Sequence, residues 1–335
     1  MSIRFDGLGI HFGYVPKSIQ LPGFELPVLG VLVSLGLILG ILFVVQEAKR
    51  RNQDQDAFLG AVLMTGLGAV IGGRLFYAGF FWSLFSGDPA SILNLRTGGM
   101  AYFGALIGGM LFLGIYSSLR KLPFAELADT LTFGVLLVQM FARLGDFFNR
   151  ESFGLYTEWA GAMQLPLSSV RAGEVTSEMR EKLLTIDGAP WISVHPTFLY
   201  DMVLCLVIFL ILCMIKGKKK YPGQIYMTYL VLYCLGRIGV EWLRTDQMWI
   251  PETTLPVNII LAAVIAVIFV PTMIVSRSMA KKRTVAAERR RKELEEAKAV
   301  GAAEAEAEAS EPVDIEAILR EEEALREQER LEAER

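Results

Sequence analysis

Tyr233, Arg237, Glu241 and Arg244 recur at i, i+4, i+8 and i+11 inside an apolar run, so a helix there carries them on one face. Charge in apolar surroundings is costly unless something compensates it. A lone structural ion pair would account for one arginine and the carboxylate. One carboxylate cannot satisfy two arginines, so the stripe points to a group supplied from outside. A second set closes another apolar run: Arg143, Asp146, Asn149, Arg150, Glu151 and Gly154, interleaved with Phe147, Phe148 and Phe153. Arg143, Asp146 and Arg150 keep helical spacing, while Gly145 permits a break. Guanidinium forks match phosphate oxygens two at a time. The chemistry indicated is recognition of an anion, with phosphate the best fit.

Lesser signals surround these two sets. Gly72-Gly73-Arg74 with Tyr77 puts another arginine near the end of an apolar run, where a snorkelling anchor is common. Gly98, Gly99, Gly104, Gly108 and Gly109 form a small-residue face suited to close helix contact. At the head of a helix the same glycines can also turn N–H groups toward an anion. His195-Pro196-Thr197 opens a further run, with Tyr200 and Asp201 one turn in. Cys205, Cys213 and Cys234 lie inside apolar runs without metal-ligand spacing to a histidine, which argues against a zinc site or a disulfide framework.

Composition says what must hold these groups. Hydrophobic residues make up 53% and charged residues 21% of the 335, with mean hydropathy +0.42. Residues 276–335 carry 13 Lys+Arg and 17 Asp+Glu, leaving only 20 and 19 for the first 275. A soluble domain cannot bury that much apolar surface, whereas a bilayer can. The net charge of −3 gives no nucleic-acid footprint. Seven runs approach the span of about 20 residues that a membrane helix needs: 27–45, 57–82, 98–118, 129–144, 196–215, 223–243 and 255–275. Basic clusters follow alternate runs, at Lys49–Arg51, Arg120–Lys121, Lys216–Lys220 and Lys281–Arg283, while the loop before residue 98 has only Arg96. By the positive-inside rule the N-terminus is external and the C-terminus cytoplasmic. The expectation is an all-α integral membrane protein of seven transmembrane helices. Residues 1–26 form an external arm, 27–275 a catalytic membrane domain, and 276–335 a charged, low-complexity tail, helical or disordered, in which Ile315, Ile318 and Leu319 make a short apolar face. Arginines gathered near the external half of such a bundle suit a phospholipid headgroup.

The run RLGDFFNRESFG resembles the signature of the prolipoprotein diacylglyceryl transferases, Arg-x-Gly-Asn-Phe-x-Asn-x-Glu. GVLVSLGLILG followed by EAKRR, then GGRLFY, GGMAYFGALIGG, HPTFLYD and YPGQIYMTYLVLYCLGRIGVEWLRTD, resembles that family in order and spacing over residues 27–275. The resemblance implies an enzyme of the bacterial inner membrane. Such an enzyme moves the diacylglyceryl group of phosphatidylglycerol onto the lipobox cysteine thiol of a prolipoprotein signal peptide, without cofactor or metal. Its partners would be these two substrates and membrane lipids, with no nucleic acid; the tail's partner is left unnamed. Arg143 and Arg237 match the family's key arginines, and Asn149, Glu151 and Glu241 would orient them and the glycerol headgroup. The expected phospholipid-binding set is Arg74, Tyr233, Glu241, Arg244, Gly98, Gly99, Gly104, Gly154 and His195. Departures are Phe103 for a histidine or tyrosine, Asp146 for asparagine, Leu29 for tyrosine, and Ala105 and Ala142 for glycines. Phenylalanine cannot take a proton, so Asp146 or Glu151 would serve the thiol instead. The alternative is a lapsed member that binds phospholipid or prolipoprotein and recruits partners through its tail.

Overall fold

The computed structural model describes residues 2–94, 98–250, 255–310 and 315–333, with backbone alone for 303–310, 315, 317–319 and 333. Arg96 and the side chains of Ile315, Ile318 and Leu319 lie outside the described set. The chain divides into two units, Met1–Arg277 and Ser278–Arg335.

In the first unit the apolar runs become α1 (Val28–Arg50), α2 (Gln55–Phe80), α3 (Tyr102–Leu119) and α4 (Phe124–Asn149). A short α5 (Ser177–Glu181) precedes α6 (Thr197–Ile215) and α7 (Gln224–Glu241), and α8 (Val257–Ser310) begins after them. Six helices are long and apolar enough to cross a membrane by length and composition: α1, α2, α3, α4, α6 and α8. The chain is therefore a multi-pass helical membrane protein. α7 falls short of that apolarity because it carries Arg237 and Glu241. It can, since Tyr226, Tyr229, Tyr233, Arg237 and Glu241 are all buried against the protein.

Two contacts set the bundle's geometry. Gly68 and Gly72 of α2 meet Gly108 and Gly104 of α3 backbone to backbone, with no room for a Cβ. This seam is close helix packing of the small-residue kind. α4 runs five residues further at each end than the apolar run alone suggests. Asp129, 1% exposed, is tolerable inside it because its carboxylate accepts from Gly223 N and Tyr226 N, each at 2.9 Å, and from Lys219 Nζ at 3.2 Å. Those two backbone donors are orphans of the α7 N-terminus, so α4 caps α7 and fixes its height in the bundle. At the other end α4 does not break at Gly145. That glycine admits Leu29 of α1 at close contact, and the helix ends at Asn149 with Arg150 left-handed at φ 58°.

The structure corrects the all-α expectation. Strands β1 (Ile3–Phe5) and β2 (Ile10–Phe12) of the arm join β5 (Met163–Pro166), β6 (Leu184–Ile186) and β7 (Ala189–Val194) in an antiparallel sheet ordered β2-β1-β5-β7-β6. β3 (Ser18–Leu21) and β4 (Phe24–Pro27) form a separate hairpin leading into α1. Ile3, Phe5, Phe153, Met163, Leu165, Met179, Ile192 and Phe198 make one apolar core between sheet and helix ends. In the second unit the charged tail is helical in α8 as far as Ser310 and again in α9 (Ile315–Ala333).

Candidate active site: arginines over an apolar cavity

Three arginines from two segments converge on one carboxylate oxygen. Asp201, on the first turns of α6 and 0% exposed, holds Oδ2 2.6 Å from Arg237 Nη1, 3.2 Å from Arg143 Nε and 3.5 Å from Arg244 Nη1. A carboxylate survives such burial only when charges and hydrogen bonds compensate it, and here three guanidiniums do so. Each arginine has a further partner. Arg237 Nη2 lies 2.7 Å from Glu241 Oε2, whose Oε1 accepts from Asn258 Nδ2 at 2.7 Å. Arg143 Nη1 donates to Asp146 Oδ2 at 2.7 Å. Arg244 forks onto Asp246 at 2.8 and 2.6 Å and donates to Ser152 Oγ at 3.2 Å. Burial works against the Asp246 charge, but Arg244 beside it holds the carboxyl below its ordinary range.

Exposure ranks the three. Side-chain exposure is 18% for Arg143 but 5% for Arg237 and 7% for Arg244. Arg143 Nη2 has no partner among the described residues, whereas both terminal nitrogens of Arg237 are ion-paired. Arg143 is the most open of the three and has donors left to give; Arg237 and Arg244, more deeply buried, reinforce the positive field behind it.

Of the residues singled out from sequence, Arg143, Asp146, Arg237, Glu241 and Arg244 are therefore brought together. Tyr233, 2% exposed, sits in the same charge environment. Asn149 and Glu151 form an adjoining group: Asn149 hydrogen-bonds the Glu151 carboxylate, which pairs with Arg171 at 2.5 Å. Burial pushes the Glu151 carboxyl above its ordinary range, Arg171 offsets this, and Asp146 adds to it. Gly154 and His195 act through backbone. Gly154 N donates to His195 O at 2.8 Å, Leu155 N donates to Leu243 O at 2.7 Å, and Gly154 bridges Arg244. Together they hold the segment bearing Arg244. Arg74, Gly98 and Gly99 do not join the site. The Arg74 guanidinium donates to carbonyls of Ile92 at 2.7 Å, Asn94 and Gly99 at 2.9 Å, Ser91 at 3.1 Å, and Gly98. It ties down a loop, and the two glycines, with φ 71° and 80°, offer it carbonyls in place of N–H groups for an anion. Gly104 belongs to the α2–α3 seam. Phe103 packs with Cys234 and Ala262 in an apolar cluster.

Asp201 is the residue that sequence reasoning passed over. Its signal was present: an acid one turn inside an apolar run, where unpaired charge is not tolerated.

A cavity of about 440 Å³ adjoins the cluster. Ala142 and Gln139, next to Arg143 and one turn before it, line it with Leu37, Val44, Leu106 and Tyr229. Its walls are almost wholly apolar, a space shaped for hydrocarbon, and Arg143 follows directly on Ala142 in its wall. An amphiphile with an anionic head fits both parts at once.

Comparison with known proteins identifies the family. The prolipoprotein diacylglyceryl transferase family profile matches residues 16–275. A phosphatidylglycerol–prolipoprotein diacylglyceryl transferase of Clostridioides difficile is 35% identical over 226 residues, covering 68% of this chain and 82% of the relative. Proteins of the same name from Clostridium novyi and Bacillus cytotoxicus are 31% and 30% identical, covering 91% and 92% of the relatives. The chain belongs to the prolipoprotein diacylglyceryl transferase family.

Proposed function

We propose that this protein transfers the diacylglyceryl group of phosphatidylglycerol to the lipobox cysteine thiol of prolipoproteins, as the first step of lipoprotein maturation. The observation that carries the reading is the half-buried guanidinium of Arg143, the most open of three arginines that meet at Asp201, one residue along α4 from Ala142 in the wall of an apolar cavity. In the reaction the thiol sulfur attacks the glyceryl carbon that bears the phosphate ester. The C–S bond forms as the C–O bond breaks, and glycerol phosphate departs with its charge. Donors aimed at that charge are worth several kcal/mol each in a site closed to water. Arg143 meets the leaving phosphate, with Arg237 and Arg244 fixed behind it through Asp201. Glu151, held above its usual range by burial and paired with the solvent-exposed Arg171, is a better acceptor for the thiol proton than Asp146, paired with the half-buried Arg143. None of the protein's cysteines is needed, because the nucleophile belongs to the substrate.

The same reading places the protein in the bacterial inner membrane with seven spans, α7 joining the other six as the sixth in chain order. The N-terminus and the sheet face outward and the tail faces the cytoplasm. The arm, residues 1–26, joins the external loops in covering a membrane domain of residues 27–275. The test is direct. Purified protein, phosphatidylglycerol and a lipobox peptide should yield a peptide heavier by one diacylglyceryl group. A peptide with alanine for cysteine should yield none. No product with the cysteine peptide would contradict the reading.

A further inference from the structure

Between the arginine cluster and the cavity lies a polar knot that the phosphate chemistry does not use. Gln139 Nε2 donates to Tyr102 Oη at 2.6 Å and to Tyr229 Oη at 2.9 Å, and the two hydroxyls are 2.8 Å apart. The amide nitrogen faces the hydroxyls, the orientation that puts a proton on all three short contacts, and Gln139 Oε1 faces the Cys205 thiol at 3.6 Å.

The donor inventory does not close. The amide brings two hydrogens and each hydroxyl one, so four hydrogens meet three contacts. Whichever tyrosine donates to the other, the second keeps a hydroxyl hydrogen with no acceptor among the described residues. Tyr229 is 1% exposed, and both tyrosines line the apolar cavity. A buried O–H without an acceptor is unfavourable, so the knot is built for an acceptor that arrives with a ligand. Its place narrows the choice. Gln139 stands four residues before Arg143 on α4, about 6 Å along the axis. The Tyr233 ring packs on both tyrosines, 5.1 Å from Tyr102 and 5.7 Å from Tyr229.

We propose that the Tyr102–Tyr229 pair is a binding site for an ester carbonyl oxygen of the diacyl lipid, with the acyl chain in the cavity and the phosphate at Arg143. The inference rests on the transferase reading and adds a group that reads the acyl linkage. It makes the protein selective for ester-linked over ether-linked lipid.

The test supplies the full-length protein and a lipobox peptide with diacyl phosphatidylglycerol or with its dialkyl ether analogue, which lacks both carbonyl oxygens. The ratio of the two rates on one preparation does not depend on the fraction folded. Wild type should favour the ester by roughly fivefold to tenfold, the range one neutral hydrogen bond supplies. Each single variant, Tyr102→Phe or Tyr229→Phe, keeps one free hydroxyl hydrogen and should keep a preference. Removing both hydroxyls also frees the two Gln139 Nε2 hydrogens, so the double variant is combined with Gln139→Leu, and this triple variant should bring the ratio to about one, as expected when the last such hydrogen bond is gone. A wild-type ratio near one overturns the proposal, whatever the variants do. So does a triple variant that keeps the wild-type ratio. If wild type transfers from neither lipid, the transferase reading fails. The carbonyl site is then read by mass spectrometry of the lipid retained from an equimolar ester–ether mixture, where equal retention overturns it.

Discussion

At Asp201 one carboxylate oxygen serves three guanidiniums, so its loss is the most damaging single change in the site. Removing one partner of a buried ion pair costs about 3–5 kcal/mol. Asp201→Ala should lower the thermal midpoint in detergent by many degrees, and Asp201→Glu should recover stability better than Asp201→Asn. A midpoint unchanged in Asp201→Ala would mean the arginines do not depend on it. Glu151 gives a pH prediction. Burial raises its carboxyl pKa, so the charged, proton-accepting form appears only as pH rises through that elevated value, above the ordinary 4.5. The transfer rate should therefore climb along an acid limb that Glu151→Gln abolishes, with a loss of about 10²–10⁴-fold above it. An unchanged limb in Glu151→Gln would assign the base elsewhere. Sequence alone marked Arg143, Arg237, Glu241 and Arg244, because charge at helical spacing in an apolar run has few explanations. It could not separate them from Arg74, since an arginine that binds carbonyls and one that binds phosphate look alike until the carbonyls of Ser91, Ile92, Asn94, Gly98 and Gly99 are placed around it.

Among the elements, the helices were legible because apolar runs of membrane length have one stable form in lipid. The ends of α4 were not, since Asp129 reads as a terminus until the backbone donors of α7 are found beside it. The sheet escaped notice because β1, β2 and β6 have only three residues each, too few for an alternation to stand out. Ile3, Phe5, Ile10 and Phe12 around an Asp-Gly turn were the available hint. The α2–α3 seam makes a prediction at this scale. Gly108→Val must displace the Gly68 and Gly72 backbones, an overpacking cost of about 1–3 kcal/mol. The variant should unfold at lower temperature while Gly114→Val, with open space at its Cβ position, should not. Equal midpoints would dissolve the seam.

On the scale of the whole molecule, the account needs the arginine cluster and the sheet on one side of the bilayer and the basic loops on the other. Reporter fusions at Arg51, Arg120 and Lys219 should report the cytoplasm and a fusion at Ala172 the exterior. A cytoplasmic Ala172 would invert the site. In the proposed function the arginine cluster, the cavity and the sheet act as one device, which would hold a phospholipid by its phosphate while a signal peptide presents its cysteine. The claim at the centre is that Arg143 stabilises the phosphate as it leaves. The most direct measurement is the single-turnover rate of glycerol phosphate release by Arg143→Ala at saturating phosphatidylglycerol, on protein shown to accumulate as wild type does. The account predicts a loss of at least about 10²-fold, with Arg143→Lys rescuing little because a point charge does not reproduce the fork. A rate above about a tenth of wild type, worth less than about 1.4 kcal/mol, would contradict it.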